Sequence, residues 1–290
     1  MPRRPVTIRL PGADYEIRVI GDRRKPLRDF YHALLRLPWS ATLGTIALGF
    51  LTANALFALG FLLTGGIAHA EPGSFADAFY FSVQTMGTIG YGAMYPETGA
   101  ANALVVLEAI AGLIVTALAT GLVFAKFSRP TARVVFSREA VIHKMNGVPT
   151  LAIRIGNERG NRIVDLQIRC AFSRTERTAE GKTFYRTLDL ELARERAHSL
   201  SRSWMILHPI DAQSPLHGAT AESLAAEEAE LHLMIVGLDD TSMQLVHASH
   251  IYFAPQILWQ TRHADVLSET EDGSLLLDVR KFHDTEPAPD

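Results

Sequence analysis

No Asp, Glu, Lys or Arg occurs between Arg36 and Glu71, and the stretch from Thr98 to Ala125 carries a single charge, Glu108. A water-soluble fold spreads its charges more evenly, whereas a bilayer core demands roughly 20 consecutive apolar residues per crossing helix. Two spans are expected, at about Ala41–Leu63 and Ala101–Phe127. The rest of the 290-residue chain is ordinary polar sequence, so its 48% hydrophobic content conceals this segregation. The fold class implied is a membrane α module joined to an all-β domain. The boundaries fall at 1–38 for an N-terminal arm and amphipathic helix, 39–130 for the transmembrane domain and 131–290 for the β domain.

Charge changes sign along the chain. Residues 1–38 hold nine basic and four acidic side chains, whereas residues 131–290 hold seventeen basic and twenty-three acidic ones. From Pro26 to Leu37 the spacing is helical, with Leu27, Phe30, Tyr31, Leu34 and Leu35 on one side and Arg28, Asp29, His32 and Arg36 largely on the other. A short basic amphipathic helix beside a span is expected to lie in the membrane interface, with Trp39 at the level of an aromatic belt. The second span stops at Lys126, Arg129 and Pro130. Two spans with a re-entrant loop place both termini on one side, and both flanks are basic, which makes that side cytoplasmic. The first 35 residues lack an apolar signal-peptide core and cleavage site, so the first span is expected to act as the membrane signal. Cys170 is the only cysteine, which excludes an intrachain disulfide.

Between the spans, Glu71-Pro72-Gly73-Ser74 breaks the chain and Ser74 offers a helix N-cap. Phe75–Met86 is apolar, aromatic and too short to cross a bilayer, which suits a re-entrant helix. It runs into Thr88-Ile89-Gly90-Tyr91-Gly92 and then the polar turn Tyr95-Pro96-Glu97-Thr98-Gly99. A dehydrated potassium ion needs oxygens in place of its water, and successive backbone carbonyls supply them if they face one axis. A normal strand alternates its carbonyls, so left-handed dihedrals are required, and Gly90 and Gly92 tolerate them. Thr88 adds its hydroxyl at the inner end, while Ile89 and Tyr91 are expected to pack against the re-entrant helix. Potassium ions are placed at Thr88, Ile89, Gly90 and Tyr91. One chain supplies one wall, so four must surround the axis. The C-terminal dipole end of the re-entrant helix favours a cation below it.

On the second span Glu108, Gly112, Thr116, Thr120 and Phe124 recur every four residues and form one drifting stripe. Two readings stay open: a wet pore cavity, or a small-residue packing face against the first span. Under the first, Phe124 is a hydrophobic gate and Gly112 and Gly121 are hinges. Glu108 either lines the cavity or is protonated or hydrogen-bonded behind the filter. Asn54, the one strongly polar residue of the first span, is expected to find a partner on another helix.

From Thr131 onward the pattern is all-β. Asn146-Gly147 and Asp272-Gly273 are hairpin signals, the latter between Ala264–Thr270 and Leu275–Val279. Leu151–Ile155, Ile163–Phe172, Trp204–Leu207 and Leu231–Val236 are further strands, which together suggest a β-sandwich. Val6–Leu10 and Tyr15–Ile20 are short strands of the N-terminal arm, and one helix is expected at Ala221–Glu230. His247 and His250 fall on opposite faces of a strand, and neither H-E-x-x-H nor a Cys–His cluster occurs, so an enzyme is not expected.

The chain resembles the inward-rectifier potassium channels, specifically their bacterial members. The resemblance is carried by Asp29-Phe30-Tyr31 to Trp39, by Ser82-Val83-Gln84-Thr85 before the filter, and by Gly121-Leu122-Val123-Phe124-Ala125-Lys126-Phe127 leading to Arg129-Pro130. It continues through Arg154-Ile155-Gly156-Asn157 and His208-Pro209-Ile210-Asp211 to Ser214-Pro215-Leu216. It implies a homotetramer, an immunoglobulin-like cytoplasmic β-sandwich that extends the pore, and control by anionic phosphoinositide-type lipids. By position Lys126 and Arg129, and more weakly Arg133, match the lipid-contacting residues; the alternative for these cations is topology anchoring. Strong rectifiers carry an acid where this chain has Thr116, so weak rectification is implied. Gln84 stands where eukaryotic members often carry Glu, so a filter-bracing ion pair is not implied. No cofactor beyond potassium ions and no nucleic-acid partner is expected; the location implied is a cell membrane, that of a bacterial inner membrane. A channel gated by another ligand through the β domain, and a potassium transporter subunit, are the competing readings. The second predicts repeated filter motifs, and only one copy occurs.

Overall fold

A computed structural model describes residues 6–9, 16–19, 30–128 and 133–288. The chain divides into two compact units, 22–129 and 1–21 with 130–290.

In the N-terminal arm, β1 (Val6–Arg9) pairs antiparallel with β2 (Glu16–Val19), Val6 opposite Val19 and Arg9 opposite Glu16.

The helical unit has four elements: α1 (Phe30–Arg36), α2 (Trp39–Thr64), α3 (Phe75–Met86) and α4 (Gly99–Phe127). Both long helices begin two residues earlier than the apolar runs alone suggested. Thr98 explains this for α4, because its side chain accepts the Ala101 N–H as an N-cap. Most side chains of α2 and α4 are exposed, Leu48, Leu63, Leu113 and Leu118 among them. A soluble core helix buries such residues; here they need hydrocarbon or other protein around them. Helices α2 and α3 meet where alanines leave room for two rings. Ala58, Phe61, Ala78 and Phe81 form a buried cluster, with the Phe61 and Phe81 rings edge to face at 5.0 Å.

The second unit is a β-sandwich. Its strands are β3 (Val134–Phe136), β4 (Ala140–Met145), β5 (Val148–Asn157), β6 (Ile163–Arg177), β7 (Thr183–Leu190), β8 (Arg196–Leu200) and β9 (Ser203–Pro209). After the short α5 (Ala221–Ala226) come β10 (Glu230–Asp239), β11 (Leu245–Phe253), β12 (Ile257–Trp259), β13 (Thr261–His263), β14 (Leu267–Glu269), β15 (Leu275–Leu277) and β16 (Thr285–Pro287). One sheet runs β11-β10-β6-β7 with β8 also on β6; the other runs β12-β4-β5-β3 with β9 also on β5. Alternation works as two-residue periodicity demands. On β10, Leu231, Leu233 and Ile235 are buried and Met234 is not. They pack with Leu166, Ile168, Phe172, Leu151, Ile153 and Ile155 in one core.

Strand β5 breaks this alternation, being buried on both faces from Thr150 to Asn157. Its second face is covered by the C-terminal segment. Arg154 donates from Nη2 to Ala264 O (2.5 Å) and from Nη1 to the carbonyls of Phe282 (3.2 Å) and Lys281 (3.3 Å). Beside it the Phe282 ring fills the space a side chain at Gly156 would need.

The two hairpin signals differ in outcome. Asn146 and Gly147 both have positive φ (51° and 82°), which makes a two-residue turn whose twist suits β4 and β5. Asp272-Gly273 does not join strands directly. It lies inside a longer turn closed by Thr270 N–H to Ser274 O, with only Gly273 at positive φ. The helix expected at Ala221–Glu230 stops at Ala226, because Glu228 turns left-handed (φ 48°) and Glu230 already starts β10.

Candidate conduction site

The site is assembled on α3. Ser74 caps its N-terminus by accepting the Asp77 N–H (3.2 Å), and Asp77 in turn accepts the Glu71 N–H (2.9 Å). At its C-terminus the helix continues into the Thr88–Gly92 segment through its own unpaired carbonyls. Gly87 donates to Val83 O, Thr88 to Thr85 O, and both Ile89 (2.8 Å) and Gly90 (3.3 Å) to Gln84 O. The far end of the segment is held too. Tyr95 O accepts from Ala68 N–H (2.8 Å), Glu97 N–H donates to Gly66 O (2.8 Å), and His69 Nδ1 lies 2.9 Å from Ala93 O. This upper clamp is made almost wholly of backbone atoms, and side-chain patterns gave no sign of it. Gly66 (φ 83°) is required there, because a Cβ would lie 2.3 Å from Thr98 Oγ1.

Between the clamps φ is positive at Thr88 (56°), Gly90 (58°) and Gly92 (81°) and at neither Ile89 nor Tyr91. Sequence reasoning assigned left-handed dihedrals to the two glycines; Thr88 joins them. A backbone whose φ changes sign at every residue turns successive carbonyls toward one side instead of alternating them, as a strand does. All five residues are exposed in the single chain. Tyr91 is 75% exposed and Ile89 half exposed, so neither is packed away against its own α3 as expected. The reason is geometric: α3 already spends its buried face on α2 and α4, through Phe81, Ser82 and Met86.

The α4 stripe divides in two. Glu108 and Gly112 do not face open space. Both are buried, Glu108 fully, against α3, where Ser82 hydrogen-bonds Glu108 and the Met86 carbonyl oxygen lies 2.9 Å from where a Gly112 Cβ would sit. They are therefore packing positions within one chain, and Gly112 is pinned rather than hinge-like. Below the end of α3 none of the described residues covers the stripe. Thr116 and Thr120 are exposed, Phe124 is 70% exposed, and a Cβ at Gly121 would meet no atom within 4 Å. Asn54 finds its partner on another helix, Ser82.

The basic residues also separate. Lys126 is not a free cation. Its ammonium donates to the carbonyls of Leu37 and Leu35, which close α1, and sits 5.5 Å from the Trp39 ring centroid. Arg133 is exposed, and Arg129 lies outside the described residues. Among the described residues no group of three His, Cys, Asp or Glu side chains is arranged to hold a metal ion.

Two apolar helices flanking a short helix and a loop of alternating φ sign, followed by a β-sandwich, define a two-span ion-channel subunit. Comparison with known proteins specifies it further. Residues 45–129 match the "Ion channel" family model and residues 134–289 match "Inward rectifier potassium channel C-terminal domain". The chain is 41% identical over 283 residues to the inward rectifier potassium channel Kirbac3.1 of Paramagnetospirillum magnetotacticum, covering 97% of this chain and 96% of that one. It is 32% identical over 226 residues to the human G protein-activated inward rectifier potassium channel 1, covering 74% of this chain and 45% of the relative. With the human ATP-sensitive inward rectifier potassium channel 12 it shares 29% over 289 residues, 91% and 66% of the two chains. The chain belongs to the inward-rectifier potassium channel family, and it is a membrane potassium channel rather than an enzyme.

Proposed function

We propose that four copies of the chain surround one axis and that Thr88, Ile89, Gly90, Tyr91 and Gly92 form the selectivity filter, with potassium ions held at Thr88, Ile89, Gly90 and Tyr91. The observation that carries this reading is the φ alternation at 88, 90 and 92 in a segment clamped at both ends and exposed throughout. Exposed, irregular backbone at membrane depth is tolerated only where it lines a cavity or meets other protein. A fourfold assembly provides both, the axis for the carbonyls and a neighbouring copy for Ile89 and Tyr91.

Below the filter, Thr116 and Thr120 line the cavity, and four Phe124 rings form a hydrophobic constriction that closes by dewetting. Gly121, with open space around it, is the hinge. Thr116 in place of an acid makes rectification weak. Both termini lie in the cytoplasm, in a bacterial inner membrane, because both membrane flanks are basic.

Anionic phosphoinositide-type lipid acts on Lys126, Arg129 and Arg133. The Lys126 contacts support this indirectly: an anionic headgroup that draws its ammonium away would free the carbonyl end of α1. The test is ion flux into liposomes with and without phosphoinositide. The reading expects potassium to pass and sodium to be excluded, Gly90→Ala to abolish the distinction, and neutralised Lys126 and Arg129 to blunt the lipid response. Equal permeability of the two ions in the unaltered channel rejects the filter assignment.

A further inference from the structure

Asn54 on α2, Ser82 on α3 and Glu108 on α4 meet at one fully buried point between the three helices. The direction of each hydrogen bond there follows from what its neighbour can do. The Phe50 carbonyl can only accept, so the Asn54 atom 2.8 Å from it is the amide nitrogen. That nitrogen also reaches Met86 Sδ at 3.4 Å, a second acceptor. The Asn54 atom 3.0 Å from Ser82 Oγ is therefore the amide oxygen, which can only accept. A serine hydroxyl has one proton, and the Asn54 contact is a hydrogen bond only when that proton is given to it, because the Asn54 oxygen has none to offer. Ser82 is left with lone pairs to offer Glu108 Oε1, so that contact holds only if the carboxyl group brings the proton.

A second observation agrees. Glu108 Oε2 has no hydrogen-bond partner among the described residues. A carboxylate would leave ionic charge bare there, which is far costlier than burying a neutral acid's carbonyl oxygen. No counter-charge is at hand among the described residues. The charged side chains of the described helical unit, Arg36, Glu71, Asp77, Glu97 and Lys126, lie at helix ends or in the connections. The groups packed against Glu108 from α2 and α3 are uncharged.

We propose that Glu108 is a neutral carboxylic acid that donates to Ser82, which donates to Asn54, which donates to the Phe50 carbonyl. This one-way chain crosses all three helices and makes Glu108, Ser82 and Asn54 positioning residues for α3. Removing the proton leaves the Glu108 carboxylate and the Asn54 oxygen competing for one Ser82 hydrogen, so α3 loses its bond to one of the two spans. Because α3 carries the lower clamp of Thr88–Gly92, selectivity then suffers. That last consequence rests on the filter reading above; the protonation does not.

Infrared difference spectroscopy of the full-length channel in liposomes at neutral pH tests the two parts separately. The wild type is expected to show a protonated-carboxyl C=O band that Glu108→Gln lacks. Glu108→Gln, whose amide can donate in the same place, is expected to keep its potassium-over-sodium flux ratio within about twofold, while Glu108→Ala loses roughly tenfold, the scale of one buried hydrogen bond. Identical spectra for wild type and Glu108→Gln overturn the protonation. An assembled Glu108→Gln channel without selectivity, or a fully selective Glu108→Ala channel, overturns the positioning role. Should Glu108→Gln fail to assemble, Ser82→Ala is the second variant: the band must shift on losing its acceptor, and an unshifted band overturns the proposal.

Discussion

Replacing Gly112 with alanine tests whether α4 locates α3 by direct contact. A Cβ at this position lies 2.9 Å from the Met86 carbonyl oxygen and 3.0 Å from Met86 Cγ. The methionine side chain can turn aside, but its carbonyl cannot, because Met86 is the last residue of α3 and its backbone leads straight into the proposed filter. Overfilling a packed contact costs ~1–3 kcal/mol, whereas replacing glycine with alanine inside a helix returns ~1 kcal/mol. The net effect is a destabilisation of roughly 0–2 kcal/mol, applied two residues before Thr88. Gly121 is the internal control, since its Cβ meets nothing within 4 Å. Gly121→Ala keeps the helix gain without the clash, so the two variants are expected to differ by ~1–3 kcal/mol. Thermal unfolding of the purified channels reads the energy, and paired potassium and sodium flux reads the displacement. Gly112→Ala should melt lower and lose potassium preference, while Gly121→Ala should match or exceed the wild type in stability and keep its selectivity. Equal melting and equal selectivity of the two variants would refute the contact.

Three other perturbations follow from the same geometry. His263 is buried, and burial first, then the Arg154 guanidinium, lowers its pKa to about 4. The unfolded chain therefore takes up a proton that the native β domain refuses between about pH 6.5 and 4. Stability falls as pH drops through that window, by up to ~3 kcal/mol, and levels off below it. Denaturant unfolding at a series of pH values should show this slope flattened in His263→Phe; an equal slope in both proteins contradicts the assignment. Arg154→Met leaves the carbonyls of Ala264 and Phe282 without their donor, while that of Lys281 keeps the Asp284 N–H (3.1 Å), and should cost ~2–5 kcal/mol, with hydrogen exchange rising across 264–284; unchanged protection there counts against the clamp. Phe124→Ala should raise basal potassium flux several-fold if those rings close the pore, and unchanged flux removes Phe124 from the gate.

Much of the architecture was legible because it rests on strong local rules. A charge-free run marked the first span and a run with one charge, Glu108, the second, and Ser74 with an apolar stretch of limited length marked α3 to the residue. Asn146-Gly147 marked its turn because only a few residues accept two successive positive φ values. What stayed hidden depends on neighbours. Periodicity placed Glu108, Gly112, Thr116, Thr120 and Phe124 on one stripe, but a helix pattern does not say where a third helix ends. Here α3 covers the first two positions and leaves the others open. Lys126 looked like any juxtamembrane cation, since nothing in its surroundings along the chain reveals the Leu35 and Leu37 carbonyls ninety residues away. The upper clamp and the C-terminal cover on β5 are built largely from backbone carbonyls and N–H groups, which every residue carries and no motif advertises.

Carbonyl-carbon NMR of the lipid-embedded channel, with label at Ile89 and Gly90, addresses the account at its centre. Exchanging sodium for potassium should shift both resonances, because those oxygens replace the water shell of the larger ion only. Resonances that ignore the exchange, or that answer both ions alike, would mean that these carbonyls do not select potassium.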